Sequence, residues 1–283
     1  MTGAVAGVGQ PIRGPSALGG DLRRMLHLTV TLAVMEFKLR FFGSVLGYLW
    51  QLMRPLMLFG VLYLVFTKFV RVGAGVPHYQ AILLTGIVMF TFFSEATGGA
   101  VTSVEGYENL VRKIEFPRLV VPLSVLLTAY FNLALNMIAV LVFVIASGVS
   151  PQAEWLLFPL LLLALGVFAA GLAMLLSALY VRFRDVKPIW EVATQVIFYG
   201  SPILYVLDIV PSANLQKLIA TFNPLATILV EARHVLIDPS APHAWDAAGG
   251  VSHLVVPAAI VLGTLVLGFW VFNREAPRIA EEL

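Results

Sequence analysis

The chain has 283 residues and a formal net charge of +2; 59% of its residues are hydrophobic, 12% are charged, and its mean hydropathy is +0.91. Because charged residues make up about a quarter of an ordinary soluble domain, this composition excludes a soluble globular protein and indicates an integral membrane protein. The sequence contains no cysteine, which excludes disulfides and thiolate metal sites, and its five histidines show no metal-ligand spacing.

The chain begins with two segments that are not predicted to cross the membrane. Residues 1–20 are rich in Gly, Ala and Pro and lack the apolar core of a secretory signal, so we expect a disordered cytosolic tail. Residues 21–42 have basic ends around an apolar middle that is too short to span about 30 Å of hydrocarbon. We predict an interfacial amphipathic helix along the inner leaflet, with a simple anchor as the alternative.

Six apolar segments are long enough to cross a membrane. They cover about residues 46–70, 80–103, 119–147, 156–181, 188–207 and 254–272. With a cytosolic N-terminus, the inside set contains all but four of the 18 basic residues, the exceptions being Lys68, Arg71, Lys217 and Arg233. Since Lys and Arg accumulate in cytoplasmic loops, we predict that both termini are cytosolic.

A charged segment, EGYENLVRKIEFPR at residues 105–118, separates the second and third predicted spans. Hydrocarbon does not accommodate so many ionisable side chains, so the segment must lie in water, and its basic residues place that water in the cytosol. Leu110 and Ile114 lie four residues apart on one helical face, and Pro117 ends the helix. We therefore predict a helix that docks a cytosolic partner. Its candidate residues are Glu105, Tyr107, Glu108, Leu110, Arg112, Lys113, Ile114, Phe116, Pro117 and Arg118.

Two further loops carry recognisable signals. In the basic cytosolic loop YVRFRDVKP, at residues 180–188, Asp185 is expected to pair with Arg182 or Arg184. That loop is either a positive-inside anchor or a structural element beside the docking helix. In the outer loop, Asn223 and Pro224 form a helix start within residues 208–238, where two short helices are expected. They form either a gate over an exit path or an ordinary surface hairpin.

Charged residues inside the predicted spans are functional candidates by default. Arg54, Glu95 and Glu191 all lie toward the cytosolic ends of their spans. An ion pair between Arg54 and either carboxylate is one interpretation, and guidance of an anionic headgroup by Arg54 is the other.

Aromatic residues recur along two spans. Phe59, Tyr63 and Phe66 form a helical stripe in the first span, and Gln195, Phe198 and Tyr205 follow a similar stripe in the fifth. Aromatic rings with polar tips suit contact with sugars, although such stripes also serve helix packing. Both interpretations stay open at this point.

Five blocks of sequence together resemble the ABC-2 type permease, the transmembrane subunit of polysaccharide exporters. The blocks are FFGSVLGYLWQLMRPLMLFGVLYLVF at 41–66, NLVRKIEFPRLVVPLS at 109–124, SALYVRFRDVKPIW at 177–190, SPILY at 201–205 and NPLATILVEARHVL at 223–236. They occur in the expected order, and the similarity covers nearly all of residues 21–283. The family includes permeases that export lipid-linked O-antigen, teichoic acid and mycobacterial galactan.

The resemblance implies an all-α membrane protein of the ABC-2, or type V exporter, kind. It has six spans, an N-terminal interfacial helix beside a lateral opening, and outer gate helices between the fifth and sixth spans. The resemblance also implies that the first and fifth spans line the substrate path, with aromatic residues near its outer end. It forms a homodimer with two copies of a separate cytosolic ATPase, in which residues 105–117 seat as a coupling helix. The sequence has no GxxxxGK[ST] phosphate loop, so this chain is expected to be no enzyme and to hold no cofactor. ATP and Mg would be bound by the partner.

The resulting hypothesis is export of a polyprenyl-pyrophosphate-linked glycan across the cytoplasmic membrane of a bacterium. Arg23, Arg24, Arg40 and Arg54 are the candidates for attracting pyrophosphate at the lateral gate, because guanidinium matches phosphate oxygens. No nucleic-acid partner is expected. The nearest alternative is an ABC-2 exporter of a drug, haem or another small lipophilic molecule. An ion-driven carrier is less favoured because the sequence shows no inverted repeat. A membrane-embedded transferase is less favoured because the sequence shows no cluster of histidines or carboxylates.

Overall fold

The computed structural model describes residues 22–41, 47–73, 75–107 and 117–282, and these described residues form helices and no strand. The helices are α1 (Leu22–Phe41), α2 (Gly47–Leu64), α3 (Tyr79–Val101), α4 (Ser103–Gly106), α5 (Val120–Ala146), α6 (Phe158–Arg182), α7 (Val186–Gly200), α8 (Ala213–Phe222), α9 (Pro224–Leu236), α10 (Ala244–Ala248) and α11 (Val255–Glu282). A π-helical turn, Val65–Phe69, continues α2, and the 3₁₀ turns Ala153–Leu157 and Val251–Leu254 lead into α6 and α11. The predicted tail, residues 1–20, lies outside the described residues.

Five helical stretches among the described residues are long and apolar enough to cross a membrane. They are Leu49–Phe69, Tyr79–Val101, Val120–Ala146, Ala153–Arg182 and Val251–Ala276. These stretches match five of the six predicted spans, so the protein is an all-helical, multi-pass membrane protein. α1 covers the predicted interfacial segment, and its position at the membrane surface stays a prediction.

The segment predicted as the fifth span, residues 188–207, contains a shorter helix. α7 has 15 residues, which corresponds to about 22 Å at the α-helical rise of about 1.5 Å per residue. It ends at Gly200 because Ser201 precedes Pro202 and is extended, with φ −106° and ψ 151°. The irregular backbone beyond it is buried, and the Tyr79 hydroxyl donates to the Leu204 carbonyl oxygen at 2.7 Å. A crossing by residues 188–207 therefore stays a prediction.

The core of the bundle is built around α3. In its apolar window 72% of the residues are buried, against 6% in the α2 stretch and 11% in the α11 stretch. A helix that is apolar on all sides is stable only when other helices surround it, and α5 and α6 pack on α3 with Phe92 and Phe93 fully buried. α2 and α11 instead present apolar side chains such as Val61 and Val266 outward.

The two ends of the bundle differ in their contacts. At one end, called the inner end, α1 and α4 both contact α5, α4 also contacts α6, and the Arg184 guanidinium lies 2.6 Å from the Glu105 carboxylate. At the other, called the outer end, His78 Nδ1 lies 3.1 Å from the Ser147 carbonyl oxygen. Helices α8, α9 and α10 pack together at this outer end.

The predicted helix start at Asn223 is confirmed. The Asn223 side-chain oxygen accepts a hydrogen bond from the Ala226 amide at 3.2 Å, and Pro224 occupies the first helical position of α9. Asn223 also donates to the Ser201 hydroxyl at 2.9 Å, which fixes α9 to the buried segment after α7. The two short helices predicted within residues 208–238 are thus present as α8 and α9, and their role as a gate stays a prediction.

An ion-pair network holds the outer end together. Arg233 donates to Asp208 at 2.8 Å and to Asp238 at 3.3 Å, and the Ser240 hydroxyl donates to Asp238 at 2.5 Å. Burial of the Asp238 carboxyl acts to raise its pKa, but the hydrogen bonds from Ser240 and the charge of Arg233 outweigh it. The pKa of Asp238 therefore lies below its ordinary value, and the folded protein favours the ionised carboxylate.

We expect Asp238→Asn to lower the free energy of unfolding by about 1–3 kcal/mol at neutral pH, the cost of losing a buried charged partner. Because folding lowers the pKa of Asp238, its ionised carboxylate stabilises the folded protein at pH values above the ordinary pKa of about 3.9. This stabilisation is lost as the pH falls through the lowered pKa. The difference in melting temperature from wild type should therefore shrink on acidification. Asp185→Asn is the matched control, because Asp185 is exposed and caps no helix through its side chain. An Asp238→Asn difference that is independent of pH would contradict the expectation.

Candidate functional site

The inner end carries the described part of the predicted docking segment. Glu105 lies in α4, Tyr107 follows it, and Pro117 and Arg118 are buried where the chain enters α5. The remaining candidates of that segment lie outside the described residues: Glu108, Leu110, Arg112, Lys113, Ile114 and Phe116. The ends of the segment are therefore fixed to the bundle on both sides.

The expected pairing of Asp185 is wrong among the described residues. Arg184 instead pairs with Glu105 at 2.6 Å and lies over the Tyr180 ring at 5.0 Å. A hydrogen bond to Tyr180 and the contact with Glu105 raise the pKa of the Arg184 guanidinium. Both charged side chains are about half exposed, so the pair adds little stability. It does join the two inner loops, which favours the structural interpretation of residues 180–188.

A second contact joins the docking segment to α1. The Tyr107 hydroxyl donates a hydrogen bond to one oxygen of Glu36. The Thr128 hydroxyl lies 3.1 Å from the other Glu36 oxygen and 2.9 Å from the Ser124 carbonyl oxygen. Burial, followed by the hydrogen bond to Glu36, raises the pKa of the Tyr107 hydroxyl, so Tyr107 stays a donor at neutral pH.

A large cavity lies between α2, α3 and α7. Its volume is about 810 Å³, which falls in the range of small-molecule binding sites, about 300–1,000 Å³. α2 lines it with Arg54, Leu58 and Leu62, one helical turn apart. The other lining residues are Ile87, Phe90, Thr91, Ser94, Glu95 and Gly98 of α3, and Trp190, Glu191, Thr194, Gln195, Phe198 and Tyr199 of α7.

The cavity changes character along its length. Arg54, Glu95 and Glu191 lie toward the inner ends of their helices, whereas Phe90 and Phe198 lie further toward the outer end, with their rings 4.9 Å apart. The site thus has a charged inner part and an aromatic outer part. That arrangement suits a ligand with a charged headgroup and an apolar or sugar-like remainder.

The structure separates the residues predicted to line a path. Arg54, Gln195 and Phe198 line the cavity. Phe59 and Tyr63 lie on the neighbouring face of α2, where Phe59 stacks on Tyr63 at 5.6 Å and meets Phe143 edge-on at 5.4 Å.

Two other predicted path residues also lie away from this cavity. Phe66 packs against the main core, and Tyr205 lines a separate small cavity beside Arg233. For Phe66, Tyr205 and the Phe59–Tyr63 pair, a substrate role stays a prediction. In the structure, these four residues pack against the main core.

The ion pair that is one of the two interpretations of Arg54 is not formed among the described residues. Glu95 instead accepts hydrogen bonds from the amides of Gln51 and Asn132, each at 3.1 Å. Arg54 is exposed and makes no hydrogen bond or ion pair within the described part of the chain. Its charge is therefore available to an anionic ligand, whereas Glu95 is occupied in joining α2, α3 and α5.

We expect Glu95→Ala to lower the free energy of unfolding by about 1–3 kcal/mol, because it leaves the Gln51 and Asn132 amides without their acceptor. Glu95→Gln retains one acceptor oxygen and should cost less. Glu191→Ala is the matched control, since Glu191 lines the same cavity but is exposed. Thermal unfolding in detergent measures all three variants. Equal melting temperatures for the two alanine variants would contradict the role assigned to Glu95.

Sequence reasoning missed several polar residues of this site. Gln51 and Asn132 carry no charge, so a search for ionisable residues in the spans does not select them, although any amide in a span needs a partner. Trp190, whose indole donates to Thr97 at 3.2 Å, was also missed. The remaining pyrophosphate candidates, Arg23, Arg24 and Arg40, are exposed on α1 and do not line the cavity. Their role stays a prediction.

Five helical stretches among the described residues that are long enough to span, and a cavity among three helices, define a helical multi-pass membrane protein. Residues 27–237 match the ABC-2 type transporter family, and the chain belongs to this family.

Three relatives are similar over almost the whole chain. This chain is 27% and 26% identical, over 264 residues, to two proteins of Klebsiella pneumoniae called O-antigen export system permease protein RfbA. Each alignment covers 93% of this chain and 97% of the relative. It is 29% identical over 263 residues to the RfbA permease protein of Myxococcus xanthus, covering 93% of this chain and 98% of that protein.

Proposed function

We propose that this chain is the membrane permease of an ATP-driven exporter that moves a polysaccharide across the cytoplasmic membrane of a bacterium. The observation that carries the proposal is the similarity over 93% of the chain to permeases named for O-antigen export. The position of the cavity supports it, since the cavity lies among membrane helices and combines one available guanidinium with several aromatic rings. The cargo is a glycan joined through pyrophosphate to a polyprenyl lipid.

Arg54 is the residue that binds the pyrophosphate. A guanidinium forms paired hydrogen bonds with phosphate oxygens, and the contacts of Glu95 with Gln51 and Asn132 leave Arg54 unneutralised by that carboxylate. Phe198 and Tyr199 then contact sugar rings further along the cavity. Arg23, Arg24 and Arg40 attract the headgroup at the membrane surface before it enters.

A second copy of the chain closes the open side of the cavity. α7 has no buried residue, and both α7 and α2 expose apolar side chains next to the cavity, among them Met57, Val61, Val192 and Val196. A cavity for a hydrophilic glycan cannot remain open to lipid, because sugar hydroxyls are costly in hydrocarbon. A homodimer that pairs these faces encloses the path.

Energy comes from two copies of a cytosolic ATPase that binds ATP and Mg. Residues 105–118 are its docking site, supported by their charge and by their attachment to α1 through Glu36 and to the second inner loop through Arg184. With this site in the cytosol, both termini are cytosolic. Residues 188–207 complete a sixth crossing, in which the buried segment after Gly200 extends α7 toward the outer end. α8 and α9 gate the exit.

A tagged permease tests the proposal. Purification from its native host should recover an ABC ATPase in equal amount, and deletion of the permease should leave lipid-linked glycan on the cytosolic side. Arg54→Lys should retain partial export and Arg54→Ala should lose more, because only the lysine retains a charge. Unchanged glycan export in the deletion strain, together with increased sensitivity to a lipophilic drug, would favour the small-molecule exporter instead.

A further inference from the structure

We propose that the outer end of the bundle holds an ordered water molecule, which bridges Thr85 of α3 and Arg233 of α9. The binding site is a small polar cavity between the core helix α3 and one of the outer helices. The water joins these two helices by hydrogen bonds. This inference concerns the junction alone, and it holds whatever cargo the permease carries.

The first support is a pair of buried polar atoms that lack a protein partner. Thr85 is 3% exposed, and its hydroxyl makes no hydrogen bond within the described part of the chain. Arg233 donates through its terminal nitrogens to Asp208 and Asp238, but its Nε–H is buried and has no acceptor among the described residues. Because an unpaired buried polar group is costly, such groups in folded proteins are almost always hydrogen-bonded to protein or to water.

The second support is a cavity that both residues line. It lies between α3, α9 and the segment after α7, and the apolar residues Ile82, Pro202 and Leu229 form part of its wall. Its volume is about 10 Å³, and one water molecule needs about 10–15 Å³ of such space and at least two polar partners. The cavity therefore has room for one water and for nothing larger, and Thr85 and Arg233 provide the two partners.

The chemistry of the two groups selects water over an ion. The Arg233 Nε–H can only donate, whereas the Thr85 hydroxyl both donates and accepts, so the ligand must accept a hydrogen bond from Arg233. The guanidinium repels a cation. An anion gains little there, because the carboxylates of Asp208 and Asp238 already neutralise the charge of Arg233. Water is neutral, accepts from the Nε–H and pairs with the hydroxyl in either direction.

A second cavity connects the site to the outer surface. Its volume is about 20 Å³, and Asp208, whose side chain is 47% exposed, lines it together with Arg233. The two cavities share four lining residues, which are Ile82, Pro202, Leu229 and Arg233. Water therefore reaches the site from the exposed side of Asp208.

The water supplies a polar link that the helices do not make directly. Within the described part of the chain, no hydrogen bond joins α3 to α9: the side chains of Thr227, Arg233 and His234 on α9 all bond to other parts of the outer end. The apolar residues around the cavity pack the two helices together without fixing their register. The bridging water adds directional contacts at this junction.

Thr85→Val tests the site, because valine has nearly the shape of threonine without its hydroxyl. If the water is present, the variant removes one of its two partners, and the melting temperature in detergent should fall by about 2–4 °C. If the hydroxyl instead had no partner, its removal would relieve an unpaired buried group, and the melting temperature would rise. An unchanged or raised melting temperature in Thr85→Val would therefore overturn the inference.

A double-mutant cycle with Arg233→Lys tests the bridge itself. Lysine keeps the charge that faces Asp208 and Asp238 but removes the Nε–H, so Thr85→Val should cost much less in the Arg233→Lys background. Thr91→Val is the matched control, because the Thr91 hydroxyl already donates to the Ile87 carbonyl oxygen within α3 at 2.8 Å. Its effect should add to that of Arg233→Lys, and additive effects for Thr85→Val as well would contradict the bridge.

A density map that resolves ordered water gives the direct observation. It should show a peak within hydrogen-bond distance of both Thr85 Oγ1 and Arg233 Nε in the wild-type protein, and this peak should be lost in Thr85→Val. A direct hydrogen bond between the two side chains, with no water between them, would overturn the inference.

Discussion

Replacing Gly98 by Trp should stop export while leaving the permease folded and assembled with its partner. Gly98 lies on α3 at the wall of the 810 Å³ cavity, and a Cβ at this position would meet no atom within 4 Å. The indole therefore enters the cavity without straining the bundle, and it occupies space that the cargo needs. We expect export to fall by about a hundredfold or more, a loss similar to that seen when a bound reactant is held out of position. The melting temperature should be nearly unchanged.

Gly263→Trp is the matched control for this experiment. Gly263 is likewise exposed on a membrane helix, α11, and a Cβ there also meets nothing within 4 Å, but it does not line the cavity. This variant should export normally. If Gly98→Trp exported at the rate of Gly263→Trp, the cavity between α2, α3 and α7 would not be the path of the cargo.

Replacing Gly268 by Leu should abolish the folded permease. A Cβ at Gly268 would lie 2.1 Å from the carbonyl oxygen of Gly171, and one at Gly171 would lie 2.6 Å from the Leu265 amide nitrogen. Small residues let membrane helices approach until their backbones touch, and here they join α6 to α11. Because the obstructing atoms are backbone, they cannot move aside as a side chain would, and the cost exceeds the about 1–3 kcal/mol of ordinary overpacking.

The measurement for Gly268→Leu is the yield of monodisperse protein in detergent together with its melting temperature. Gly263→Leu, in the same helix with open space around its Cβ, should match wild type in both. A Gly268→Leu protein as stable as Gly263→Leu would show that α6 and α11 do not approach as closely as described here.

Local features of the fold were predictable where neighbouring residues decide them. The start of α9 follows from a capping side chain at Asn223 and a proline after it, and both act within a single turn. The end of α7 was harder to predict because residues 201–207 are apolar and extend the hydropathy of the helix. The break arises from Pro202 and from burial of irregular backbone, which hydropathy does not register.

Contacts between distant segments were not predictable to the same degree. Asp185 is adjacent to Arg184 in sequence, yet Arg184 pairs with Glu105 because the chain brings α4 beside the end of α6. Periodicity likewise identified an aromatic face on α2 without showing what it contacts. In the structure Phe59 packs on Phe143, and the adjacent face, with Arg54, meets the cavity.

Transport in a defined membrane tests the central claim most directly. Liposomes containing the permease alone, or the permease with its ATPase, are loaded with fluorescent lipid-linked glycan, and its transfer between leaflets is followed. The account predicts transfer only when the ATPase and hydrolysable ATP are both present. Transfer by the permease alone, driven by an ion gradient and indifferent to ATP, would contradict it.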